Sequence, residues 1–210
     1  MGRIFYIMGK SASGKDSMFR MLAEDGALPL KTVTMYTTRP KRSNEEDGRE
    51  YFFRDRAFLL REEAAGRVVE CRTYETVLGP WSYFTLDDGQ IDLERHSYLM
   101  MGTPESYENT RRYFEGRAAG GRAGGKALIP IYIEVEDGER LLRAVKREMR
   151  EEEPHYAEVC RRFLADQEDF SGERLERLGI DRVFKNRELS ACKEEIRAVI
   201  LENLTENVVY

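Results

Sequence analysis

Apolar residues in this chain come in short unbroken runs, separated by polar stretches with helical spacing. The first run, IFYIM at 4–8, is apolar at every position and rich in β-formers. Continuous rather than alternating apolarity predicts a strand covered on both faces, as in a parallel sheet. A glycine-rich segment, GKSASGKDS at 9–17, follows it, and MFRMLAEDG at 18–26 reads as a helix closing near Gly26. KTVTMYT (31–37) reads as a second strand, and 39–50 is polar and loop-like. YFF (51–53) restarts strand character, and 54–67 has helical spacing at Phe58, Leu59, Ala64 and Ala65. VVECRTYETV (68–77) and WSYFT (81–85) read as strands about a turn at LGP (78–80), and 86–92 as a turn leading into a helix start.

In the second half, SYLMMGT (97–103) and ALIPIYIEV (127–135) are the clearest core strands. The stretch 104–114 reads as a helix with Pro104 in its first turn, where proline is tolerated. Residues 116–126 form a low-complexity Gly/Ala/Arg connector. A charged helix is expected over 137–154, ended by Pro154, then a helix over 155–170, a strand over 181–186 and a terminal helix over 188–204. Strand and helix alternate through most of the chain, so the fold class is α/β with a mainly parallel sheet. Residues 33–95 break that rhythm and read as an antiparallel insertion.

Composition narrows the picture. The 210 residues suit one compact domain with small appendages, and 41% of them are hydrophobic, enough for a core. Thirty-four basic against 39 acidic residues leave a formal charge of −5, so no basic field points to a nucleic-acid polymer. No apolar run approaches a membrane span, and the N-terminal run reads as a buried strand rather than a leader. Cys71, Cys160 and Cys192 share no metal-ligand spacing, which suits reduced thiols in the cytoplasm.

The chemistry starts at the first loop. Gly9, Gly14 and Lys15 fit G-x-x-x-x-G-K between a strand and a helix. Glycines let backbone N–H groups curl round phosphate oxygens, the helix N-terminus adds its dipole, and the lysine adds a point charge at the β and γ phosphates. The ATP-binding segment is therefore Gly9, Lys10, Ser11, Ala12, Ser13, Gly14, Lys15, Asp16 and Ser17. An ordinary glycine-rich turn is the bland alternative, and the strand–loop–helix order speaks against it. Position 16 is Asp where a hydroxyl usually meets Mg²⁺; a carboxylate can serve that ion directly or through water, and can equally repel phosphate.

A second anion site is written in TTRPKRSNEEDGREYFF at 37–53. Arg39 and Arg42, three apart in a loop stiffened by Pro40, can grip one phosphate with bidentate bonds, and Tyr51 can add a hydroxyl. Glu70 ends the apolar VVE strand, where a carboxylate can accept two N–H donors from one face of guanine; a surface glutamate is the alternative.

With GKSASGKD, TTRPKR followed by EEDGREYFF, VVE, an Arg-rich helix pair and a late Asn186 in order, the chain resembles the guanylate kinase family of nucleoside monophosphate kinases. That resemblance implies a parallel five-stranded core, a monophosphate-binding insertion and a small lid. The implied division is 1–32, 96–137 and 171–210 for the core, 33–95 for the insertion, and 138–170 for the lid and following helix. It implies that Arg39, Arg42 and Tyr51 hold the GMP phosphate, that Glu70 reads guanine N1 and the amino group, and that Gly79 and Ser82 stand in the turn beyond it. It also implies that lid arginines Arg143, Arg147 and Arg162 close over the triphosphate and that Asn186 lies near the ATP adenine. The expected activity is transfer from ATP, with Mg²⁺, to GMP or dGMP, in a cytoplasmic monomer or homodimer.

The sequence departs from the family pattern at three places. Met35 replaces a serine, LGPWS (78–82) replaces a Tyr-Gly-Ser/Thr turn, and Met101–Thr103 lacks the usual acidic pair. Asp16 resembles the related ribose 1,5-bisphosphate phosphokinases, so a kinase for another phosphorylated acceptor is the alternative, with a non-catalytic binding module as a third reading.

Overall fold

The computed structural model of the chain describes residues 2–42, 45–76, 79–118 and 127–205. Residues 119–126 of the Gly/Ala/Arg connector, 77 at the end of the expected strand 68–77 and 78 of the expected LGP turn lie outside the described residues. Five strands form the core sheet: β1 (Ile4–Met8), β2 (Leu30–Thr32), β7 (Ser97–Gly102), β8 (Leu128–Glu134) and β9 (Val183–Lys185). Their order is β2-β7-β1-β8-β9, and every pairing is parallel. This is the α/β, mainly parallel fold that the alternation of elements predicts.

The continuous apolarity of β1 is explained by its place at the centre, where all five residues are buried. Phe5 and Ile7 pack against α1 (Lys15–Ala23) and α7 (Leu189–Thr205) through Met18, Leu22, Ile196 and Ile200. Ile4, Tyr6 and Met8 point the other way, against Tyr107 of α3 (Pro104–Ala118) and against Phe170 and Leu178. Alternate residues of one strand thus anchor two cores.

A second sheet carries β3 (Tyr36–Thr37), β4 (Phe52–Phe53), β5 (Val68–Thr76) and β6 (Gly79–Leu86) in the order β4-β3-β6-β5. β5 and β6 form a long antiparallel hairpin and β3 joins β6 antiparallel, but β3 and β4 are parallel. The insertion is therefore mixed rather than antiparallel throughout. Tyr36, Phe52, Phe58 and Phe84 stack over it with α2 (Arg56–Ala64) as cover.

Several expected boundaries move. The single strand read over 31–37 is two strands in different sheets, because the chain crosses from core to insertion between Thr32 and Tyr36. The first helix begins at Lys15, three residues early, since Gly14 in a left-handed conformation (φ 87°) already serves as its N-cap. The charged helix, α4 (Asp137–Glu148), stops well before Pro154; the acidic run Glu151–Glu153 opposes a helix C-terminus. No helix starts after 86–92. There Asp88 and Asp92 accept hydrogen bonds from the backbone N–H groups of Gln90 and Glu94, holding turns that lead into β7. α5 (Tyr156–Asp169) is where the spacing places it, and a short α6 (Gly172–Arg177) was not legible.

Candidate active site

The loop between β1 and α1 opens at the C-terminal end of the parallel strands, where α/β sheets place their ligands. Ala12 (φ 62°) and Gly14 (φ 87°) both lie in the left-handed region and give the loop its curl. Asn186, just beyond β9, is buried and donates from Nδ2 to the Ser13 carbonyl at 2.8 Å. Its place against the loop is that of a brace. Gly9 has no room for a side chain: a Cβ there would sit 2.5 Å from Ser13 Oγ and 2.8 Å from the Ile133 carbonyl. Gly9→Ala is expected to displace the loop from β8 and weaken ATP binding at least about tenfold, measurable by calorimetric titration with ATP.

Lys15 heads α1 with its Nζ 3.1 Å from Asp16 Oδ2, and the Asp16 side chain is 68% exposed. Ser17 is exposed beside it. A single exposed carboxylate at a phosphate loop fits Mg²⁺, which takes one or two carboxylates and completes its shell with phosphate and water. Among the described residues no cluster of three or more His, Cys, Asp or Glu side chains could hold an ion by itself.

The first half of the loop is tied to the helix pair α4–α5. Lys10 Nζ meets Asp137 Oδ1 at 3.3 Å and Gln167 Oε1 at 3.0 Å, and the Ser11 N–H donates to Asp166 Oδ2 at 2.8 Å. Arg140 is fully buried behind them, donating to Asp137 Oδ1 (2.6 Å) and Asp166 Oδ2 (3.1 Å) over the Phe163 ring. Burial alone would raise the Asp137 carboxyl, but hydrogen bonds from Arg140 and Gln167 outweigh it and hold it at about 2. A carboxyl depressed on folding adds stability above its ordinary pKa of about 4 and loses it as the pH falls towards about 2. Asp137→Asn should therefore flatten the acid limb of stability between about pH 4 and pH 2, read from thermal midpoints in graded buffers.

Of the cations expected from sequence, Arg143 is paired with Glu139 at 2.5 Å, and Arg147 and Arg162 are exposed. Among the described residues no contact joins these three to the loop; Arg140, which the sequence reading passed over, is the arginine that reaches its surroundings. A cavity of about 490 Å³ opens beside Lys10, lined by Glu134, Glu136, Lys185, Asn186 and Arg187.

Across from the loop stands the insertion. Arg39 is buried and forks onto Glu45, Nη1 to Oε2 at 2.9 Å and Nη2 to Oε1 at 2.7 Å, with Nη1 also donating to the Pro40 carbonyl. Arg39 and the backbone N–H of Arg42 hold the Glu45 carboxyl at about 2. The guanidinium lies over the Tyr51 and Phe53 rings, 5.7 and 5.5 Å from their centroids. Tyr51 packs edge-on against Tyr83 at 5.6 Å; burial raises its phenol, and both Arg39 and Asp16 lie within electrostatic range. Asp16 belongs to α1, so the charge of that helix start is felt at Tyr51. The Arg42 side chain is exposed. Glu45 and Tyr83 were missed; only the Arg39 fork and the alternation of β6 reveal them.

The remaining acceptor-side residues spread along the hairpin. Glu70 pairs with Thr85 near its base, whereas Gly79 pairs with Thr76 at its far end. The Ser82 hydroxyl is spent on Thr73 Oγ1 at 2.8 Å, and its N–H on Thr38 Oγ1. Glu70 is enclosed: Oε2 accepts from Arg72 Nε at 3.2 Å, Oε1 from Thr85 Oγ1 at 3.3 Å, and burial pushes its carboxyl up.

The parallel sheet, the curled loop between β1 and α1 and the inserted second sheet define an α/β fold of the P-loop class. Within that class, residues 1–80 match the family model described as guanylate kinase. A guanylate kinase of Mycoplasma mobile is 45% identical over 53 residues, 25% of this chain and 26% of that protein. One of Mycoplasma pneumoniae is 40% identical over 73 residues, 35% of this chain and 30% of that protein. These matches span about a third or less of the relatives' own length. In fold the likeness extends over most of both chains: the crystal structure of guanylate kinase from Anaplasma phagocytophilum aligns over 96% of this chain and 86% of its own, with a TM-score of 0.59 at 15% identity. No helix among the described residues is long and apolar enough to cross a membrane.

Proposed function

We propose that the protein transfers the γ-phosphoryl group of ATP to the phosphate of a nucleoside monophosphate, with GMP or dGMP as the acceptor. The observation that carries this reading is a curled β1–α1 loop ending in Lys15 together with a guanidinium, Arg39, fixed in advance over Tyr51 in the insertion. An acceptor phosphate oxygen held by Arg39, Arg42 and Tyr51 attacks the γ-phosphorus in line, and the bond to the bridging oxygen of ADP breaks. No side chain forms a covalent intermediate. Lys15 and the loop N–H groups stabilise negative charge as it shifts onto the equatorial and leaving oxygens. Arg39 contributes by positioning. Mg²⁺ with ATP would rest on Asp16 and supply further charge neutralisation.

Residues 33–95 and 138–170 would close on the core and exclude water, so that ATP is not hydrolysed instead. The polar tie from Lys10 and Ser11 to Asp137, Gln167 and Asp166 gives the helix pair a seat on the loop. The test is a coupled ADP-release assay with ATP and Mg²⁺ over GMP, dGMP, AMP, UMP and ribose 1,5-bisphosphate. GMP- and dGMP-dependent release supports the assignment. Stimulation by ribose bisphosphate alone would replace the acceptor, and ATP binding without transfer to any of them would mark a binding module.

A further inference from the structure

The first half of the phosphate loop is a strained turn. The Ser13 N–H donates to the Lys10 carbonyl at 3.1 Å and closes residues 10–13 into a β-turn. Its third residue, Ala12, has φ 62° and is alone among the described non-glycine residues in the left-handed region. That is the arrangement of a type II turn, whose third position ordinarily takes glycine or asparagine. An alanine Cβ there crowds the next carbonyl oxygen, so the conformation persists only where its surroundings hold it.

Two bonds hold the turn from outside. Asn186 donates to the Ser13 carbonyl at its far end, and Asp166 Oδ2 accepts from the Ser11 N–H at its near end. Asp166 is aimed in turn by Arg140, whose Nη1 donates to the same Oδ2 at 3.1 Å. Arg140 is fixed by Asp137 on its Nε and by the Phe163 ring, 4.0 Å from the guanidinium carbon. Its Nη2 is buried and has no hydrogen-bond partner among the described residues. A buried ionic group with a donor left over is a poor stabiliser, and well-packed apolar side chains often serve a fold as well. Apolar side chains could not, however, set an anionic acceptor at one fixed place on the loop.

Resting on the ATP-dependent reading above, we propose that Arg140 and Asp166 are positioning residues for ATP: together they keep Ala12 in its left-handed turn, and so keep the loop in the shape that receives the triphosphate. Both act through the loop backbone. Their removal therefore weakens ATP binding and leaves the acceptor alone. The helix pair α4–α5 serves the loop before any closure, as the part that holds its shape.

The test is calorimetric titration of the full chain with ATP, beside the GMP KM in the ADP-release assay. Asp166→Ala removes the acceptor of the Ser11 N–H, whereas Asp166→Asn removes the charge and keeps an oxygen for that N–H. The alanine variant is expected to bind ATP about tenfold more weakly than the parent, and the asparagine variant within about threefold, with the GMP KM of both within about threefold. Adding Ala12→Gly to Asp166→Ala should recover at least about threefold, because glycine adopts the left-handed region without support. A loss caused by general loosening would not be recovered by a more flexible residue. Arg140→Met keeps bulk over Phe163 but leaves Asp166 unaimed; it should lose at least about threefold, and it tests the same hold if the alanine variant fails to fold. Parent-like ATP affinity in Asp166→Ala or Arg140→Met, equal losses in the alanine and asparagine variants, or no recovery with Ala12→Gly would each overturn the assignment while leaving the kinase reading in place. A parent protein that binds no ATP would overturn the kinase reading itself, and this one with it.

Discussion

Lys15→Ala is expected to lower turnover by about a thousandfold and to leave the thermal midpoint within a degree or two of the parent. The two halves of that expectation have separate causes. In the fold, Lys15 has a single charged partner among the described residues, Asp16, whose side chain is 68% exposed. An ion pair of that kind contributes little to stability. In the reaction, a fixed cation aimed at charge that develops only in the transition state is worth about two to three orders of magnitude for a single group. Lys10 in the same loop is a useful contrast, because its ammonium is taken by Asp137 and Gln167 and is not available to phosphate. The measurement is steady-state ADP release at saturating ATP and GMP, beside a melting curve. Turnover within about tenfold of the parent would remove Lys15 from the chemistry and with it the role of the loop.

The sequence made the core legible because its signals were local. Five fully apolar positions at 4–8 require cover on two faces; Met18, Leu22, Ile196 and Ile200 cover one, and Tyr107, Phe170 and Leu178 the other. The glycine spacing fixed the loop for the same reason: Gly9 and Gly14 sit where a Cβ collides with the chain or where φ is positive. Boundaries set by side-chain-to-backbone bonds were not legible. Asp88 and Asp92 turn the chain where apolar spacing suggested a helix start. Long-range polar pairs were also out of reach. Arg140 looks like any charged helix position until Asp166, Asp137 and Phe163 enclose it. Arg72 looks like an alternating surface residue of a hairpin until its carboxylate partner is found sealed beneath it. Spacing shows which residues share a face, but only the packing of α4 on α5, and of β5 beside α3, shows which charge faces inward.

Arg39→Ala is the second large effect, and it should fall on the acceptor rather than on ATP. The guanidinium has five N–H donors; two on Nη1 go to Pro40 and Glu45, and one on Nη2 goes to Glu45. Nε–H and the second Nη2–H are left, shared between the nearby hydroxyl of Tyr83 and an incoming phosphate. Glu45 and the Tyr51 and Phe53 rings fix the fork before any ligand arrives, so little side-chain entropy is lost on binding. Hydrogen bonds to a charged partner contribute about 1.5–3 kcal/mol each, so losing the arginine should raise the acceptor KM about ten- to a hundredfold. The KM for ATP should stay within about threefold, since the loop and its Asn186 brace are untouched. Removing Arg39 also leaves the Glu45 carboxylate without its main partner in the same pocket, where it would repel the acceptor phosphate. Arg39→Lys should recover only part of the loss, because an ammonium cannot hold Glu45 and a phosphate in one plane. Initial rates at low GMP and saturating ATP decide the matter: a rate equal to that of the parent would show that the acceptor phosphate is gripped elsewhere.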